Sequence, residues 1–123
     1  MSGCGLTKAE ETAIQFYKAV EVEGDGDKAN QMMWKREWDW NEFADQGPNP
    51  PIQIAPAPAE EQTETRQCYM IHRPSDDRGY LIWLRKVGEE WKVVKRDSHR
   101  DFIGGIQQAY PGQTFDWKEV EQP

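Results

Sequence analysis

The chain has 123 residues, 37 % of them apolar and 30 % charged, and a formal net charge of −7. That length suits one domain whose core needs neither a disulfide nor a metal. The acidity argues against nucleic-acid binding and against docking on an anionic membrane, and no stretch approaches the ~20 apolar residues of a spanning helix.

Residues 1–6 read as a flexible N-terminus ahead of a single α+β domain over 7–123. Thr7-Lys8-Ala9-Glu10 forms a capping-box pattern. Ala9, Ala13, Phe16, Tyr17 and Val20 then repeat at helical spacing, and Gly24 ends that helix. Asp25 or Asp27 caps a second helical segment. Its stripe runs through Ala29, Met33, Trp40, Phe43 and Ala44, with Trp34 and Trp38 as a second i,i+4 pair. The segment is expected to bend or break near Asp39 and to close at Gly47-Pro48.

A Pro-rich loop follows at about 48–62, holding Pro48, Pro50, Pro51, Pro56 and Pro58. Proline lacks a ladder donor, so this stretch is expected to be extended loop rather than central strand. From Thr65 the period becomes two. Runs over Thr65–His72, Tyr80–Val87 and Trp91–Asp97 predict an antiparallel meander, with turns at 74–79 and at Gly88-Glu89. Phe102, Ile103, Ile106 and Tyr110 suggest a short helix, weakened by Gly104-Gly105. Alternation over Thr114–Val120 suggests a fourth strand.

The helix, the Glu23-Gly24-Asp25 turn, a second helix opening on Lys28-Ala29 and the hairpin Leu84–Val94 come in a telling order. The hairpin includes Gly88-Glu89-Glu90-Trp91-Lys92-Val93-Val94. The order resembles the nuclear-transport-factor-two-like superfamily over roughly residues 6–100, in particular its small bacterial branch, whose members are often lipoproteins of unknown function. The resemblance implies N-terminal helices packed on a curved antiparallel sheet, a cone-like shape that in different members is an enzyme pocket, a ligand pocket or filled core. Fold alone therefore does not decide function.

Ser2-Gly3-Cys4-Gly5 resembles the end of a bacterial lipoprotein box, which implies a lipid anchor through Cys4. Met1 stands where such a box has Leu and no apolar segment precedes it, so the chain is either a trimmed lipoprotein or a chance match. The location is accordingly cell envelope or cytoplasm. Cys68 reads as a free buried thiol.

Asp97-Ser98-His99-Arg100-Asp101 is the densest cluster of titratable groups. A histidine held by carboxylates can act as a general base, so His99, Asp97 and Asp101 are the catalytic candidates, against the commoner reading of a solvated turn. His72 reads as ordinary. Asp25 and Asp27 lack the further ligands of a calcium loop, and no metal or cofactor motif is present. Trp34, Trp38, Trp83 and Trp91, with Trp40, can line an aromatic pocket or an interface; core packing is the commoner role.

Charge splits along the chain. Residues 1–64 hold 13 Asp/Glu against 5 Lys/Arg, whereas 65–123 hold 9 against 10. Arg85, Lys86, Lys92, Lys95, Arg96 and Arg100 gather on the last hairpin. The leading expectation is a non-enzymatic interaction domain, such as an accessory subunit, that engages a protein partner or a second copy through complementary patches. The alternative is a pocket protein or enzyme for a small apolar molecule, with Trp83 and Trp91 as walls.

Overall fold

The computed structural model describes residues 5–37, 39–58 and 61–120. Its architecture is α+β, with the N-terminal helices against an antiparallel five-stranded sheet, as expected. Cys4 and Trp38 lie outside the described residues.

Helix α1 spans Lys8–Glu21 and opens on the expected capping box. Thr7 Oγ1 accepts from the Glu10 N–H at 3.1 Å, and the Thr7 N–H donates to Glu10 Oε1 at 2.8 Å. Leu6 already packs against the core, and the Gly5 carbonyl accepts from Lys118 Nζ at 2.9 Å. Helix α2, Gly26–Met32, is capped by Asp25, whose Oδ1 accepts from the Lys28 N–H.

The second helical segment is shorter than its apolar stripe suggested. Met33 turns extended (ψ 139°) and forms a parallel bridge with Val93. The Trp34 N–H donates to the Val93 carbonyl at 2.9 Å. An available strand edge thus outcompetes helix continuation for these backbone groups. Asp39 instead caps a single 3-10 turn at Trp40–Glu42, which Asn30 ties to α2 through the Trp40 N–H and Asp39 Oδ1.

The meander is present. Strand β2 is Arg66–Arg73, β3 Arg78–Val87 and β4 Glu90–His99. Gly88 takes the left-handed φ of 65° that the tight β3–β4 turn requires. A bulge in β4 leaves Val94 unopposed between the Trp83–Lys95 and Leu84–Val93 pairs.

The Pro-rich segment is not all loop. It contains strand β1, Ile52–Pro56, and the sheet order β4-β3-β2-β1-β5 places it inside the sheet. The prolines permit this by position. The Ala57 N–H donates to the Cys68 carbonyl, so strand alternation turns the nitrogen of Pro56 toward the other side. There the pairing with β5 runs only over Ile52–Ile54, and no ladder bond is lost. Strand β5 is Lys118–Val120, shorter than the Thr114–Val120 expected. Phe115 and Trp117 pack on the sheet face instead of entering the ladder.

The sheet is covered on both sides, fully on the first and in part on the second, which makes three layers. The first face carries Ile54, Tyr69, Ile71, Ile82, Leu84 and Val93 against α1, α2 and the 3-10 turn. The second face carries Ala55, Cys68 and Met70 under helix α3, Phe102–Ala109. The face toward α1 is filled core, with Phe16 edge-on to Trp40 and Tyr17 against Tyr80.

Candidate functional site

The first face is closed, and the second is only partly covered. Helix α3 shields the end of the sheet near the β2–β3 turn. Toward the β3–β4 turn the second face is open. Two hollows of about 290 Å³ each lie along it, one under α3 and one beyond, and both are lined by Trp83 and Glu61.

Helix α3 is held at its first turn. Asp101 sits at its N-cap with a left-handed φ of 49° but makes no side-chain capping bond. Asp77 does that work from the β2–β3 turn: its carbonyl accepts from the Phe102 N–H at 3.0 Å and its Oδ1 from the Ile103 N–H at 3.4 Å. The same Oδ1 accepts from His72 Nε2 at 2.7 Å. Gln53 Nε2 lies 3.0 Å from His72 Nδ1. With Gln53 donating there, the remaining proton sits on Nε2 and points at Asp77. The buried His72 ring also stacks on Phe102. Both of its nitrogens are occupied, so it fastens β1, the turn and α3 together and has no free nitrogen for chemistry. Nothing in the local sequence around His72 announces this, because its partners are 19 and 5 residues away.

The catalytic candidates do not assemble. Asp97 and His99 share the second face, opposite Leu81 and Gly79. His99 is exposed, stacks on Phe102 at 6.4 Å and lines the hollow under α3 beside Asp101. Among the described residues no hydrogen bond or ion pair joins His99 to Asp97 or Asp101. Ser98 points to the other face, opposite Tyr80. Cys68 is fully buried and desolvation pushes its thiol up to about 12, so no thiolate is available near neutral pH. No group of three or more His, Cys, Asp or Glu among the described residues could hold a metal ion.

The tryptophans separate as well. Trp83 lies on the second face, while Trp91 packs on the first, so they are not walls of one pocket. Trp34 is 36 % exposed and sits beside the open part of the second face. Trp40 is core.

The basic residues of the hairpin are not one patch either. Arg96 goes to the first face, where it pairs with Glu21 and lies over Trp40 and Tyr80. Lys86 is opposite Trp91. Lys92 donates to the Gln31 carbonyl. What remains on the open second face is Arg66, Arg85 and Lys95. The Arg85 guanidinium stands 4.3 Å from the Trp34 ring and Lys95 Nζ 4.4 Å from the Trp83 ring. Glu61 is the one carboxylate among the described lining residues, and it accepts from Trp83 Nε1–H at 3.2 Å. Gln62 positions that stretch: its Oε1 accepts from the Cys68 N–H and its Nε2 donates to the Cys68 and Ala57 carbonyls.

Among the described residues no helix is long and apolar enough to cross a membrane. No family model, curated protein or solved structure matches the chain.

Proposed function

We propose that this is a non-enzymatic interaction domain that holds an acidic, extended segment of a partner protein in the open groove of the second sheet face. One observation carries the reading. In a chain of net charge −7, that groove gathers Arg66, Arg85 and Lys95 around two tryptophans with one engaged carboxylate. Arginine and tryptophan are the residue types that dominate binding hot spots, and cations over indole rings are held ready for a carboxylate. Three cations on an acidic domain suit a short acidic peptide better than a phosphate chain. The order α1, Gly24-Asp25 turn, α2 and late hairpin supports keeping the superfamily membership as part of the same proposal.

The test is a titration of the chain with a fluorescent Asp/Glu-rich peptide of about a dozen residues. Binding that weakens several-fold between about 50 and 300 mM salt is expected, because exposed charges are screened within about 10 Å. Arg85→Glu with Lys95→Glu abolishes it. No saturable binding at low salt overturns the reading. So does tighter binding of a single-stranded oligonucleotide, or a concentration-dependent mass that the same charge reversal abolishes, which makes the occupant a second copy.

A further inference from the structure

We infer that the hollow between α3 and the sheet is a binding site for a small, flat, uncharged aromatic molecule. It is a different hollow from the basic groove, and it lies on the face away from α1 and α2.

Its surfaces are apolar on opposite sides. Met70 and Leu81 make the floor, Trp83 one wall, and Phe102 and Ile106 the roof. The second core cluster is unfinished here: Met70 and Phe102 are buried, whereas Leu81, Trp83 and Ile106 are only partly so. Partly exposed apolar walls facing one another gain from a ligand that removes them from water. A hollow of about 290 Å³ is at the small end of ligand pockets, which suits one or two fused rings.

The rim sets the charge. Arg100 and His99 stand on it with Asp101 and Glu61, and Glu61 is taken up by Trp83. With both signs at one mouth, neither an anion nor a cation is favoured, and a neutral ring with a hydrogen-bonding edge satisfies the rim best. The roof leaves space for it. Gly105 lines the hollow, and a Cβ placed there would meet no atom within 4 Å. Among α3 residues only Phe102 is buried, so the remainder of the helix rests lightly over the site.

Calorimetric titration with 2-naphthol tests this, alongside naphthalene-2-carboxylate and a 2-naphthyl ammonium compound. Saturable 2-naphthol binding with a Kd of about 0.1–1 mM is expected for a ligand of that size, with both charged analogues at least about tenfold weaker, a loss of roughly 1.4 kcal/mol. Gly105→Leu fills open space and replaces a poor helix former, so it keeps the fold and lowers the affinity at least tenfold. Leu81→Phe fills the hollow from the floor and does the same. Arg85→Glu with Lys95→Glu, which abolishes the acidic-peptide binding, leaves 2-naphthol binding within about twofold. The inference is overturned if 2-naphthol does not saturate, if a charged analogue binds better, or if neither filling variant weakens it.

Discussion

Helix α3 meets the sheet most tightly where Phe102 packs on Gly79. A Cβ built on Gly79 would stand 2.0 Å from Phe102 Cγ and 2.2 and 2.3 Å from its two Cδ atoms, distances that no side chain tolerates. Gly79→Ala therefore expels the Phe102 ring. Phe102 is 3 % exposed, and returning such a side chain to water costs about 1.5–3 kcal/mol. The ring cannot leave without disturbing the two bonds from the start of α3 to Asp77, each worth about 1 kcal/mol. Against this, Ala is favoured over Gly in a strand by about 0.5–1 kcal/mol. The expected net loss is about 2.5–4.5 kcal/mol. Phe102→Ala alone should cost about 3–5 kcal/mol. In the Phe102→Ala background the clash is gone, and Gly79→Ala should be neutral or stabilising by up to about 1 kcal/mol. Urea unfolding of the four proteins, followed by circular dichroism, gives the coupling, expected at about 2.5–5.5 kcal/mol. Amide exchange should show the protection of 102–109 falling in Gly79→Ala while α1 keeps its own. Additive effects, within the ~0.5 kcal/mol usual for independent sites, would refute the packing argument.

Two further predictions follow from single groups. Desolvation holds the Cys68 thiol at about 12, above its ordinary value of 9.0. Between those pH values the unfolded chain has lost a proton that the folded one keeps, so stability should fall as pH rises through that window, by up to about 1.4 kcal/mol per pH unit for this group. Tyr80, raised to about 12 by burial and by the Glu21 carboxylate, deepens the loss. Cys68→Ala should flatten the slope of urea midpoint against pH just above 9, and an unchanged slope counts against the assignment. Thr7→Ala removes the acceptor of the Glu10 N–H and should cost about 1 kcal/mol in urea unfolding. A change below about 0.3 kcal/mol would mean that the capping box does not hold α1 in solution.

Much of the fold was legible because its signals are local. The Thr7–Glu10 box and the apolar face of α1 lie within one helix, and the meander lies in three neighbouring runs. Helix α3 was readable despite its glycines, because Phe102, Ile103 and Ile106 repeat within a single segment. The misreadings share a cause. Met33 and Trp34 continue a helical stripe, yet Met33 bridges to Val93 and the Trp34 N–H donates to the Val93 carbonyl, some 60 residues on. Ile52–Pro56 looked unfit for a sheet interior until its partners were known, since a proline's cost depends on whether a neighbour needs its missing N–H. The unbroken burial of Cys68–His72 marks a strand covered on both sides. That signal was present in the sequence, but the period of two was the stronger one.

The site was less legible. The cluster over Asp97–Asp101 is dense in the chain, and alternation does put Asp97 and His99 on one face, yet sharing a face does not bring their side chains into hydrogen-bonding contact. The groove residues Arg66, Arg85 and Lys95 and the rings of Trp34 and Trp83 come from four separate segments, and no spacing rule connects them.

By itself, then, the sequence determined the class of the protein. It is an acidic α+β chain whose capped helix and antiparallel meander are specified by side chains within a few residues of one another. Only the tertiary structure decided that the sheet has a filled face and a half-open one, which cations are spent on Glu21 and the first face, and which remain with Trp34 and Trp83 in a groove. The physical reason is that face and register depend on pairing between distant strands. A bulge at Val94 or a bridge at Met33 redirects side chains that composition alone would pool into one patch.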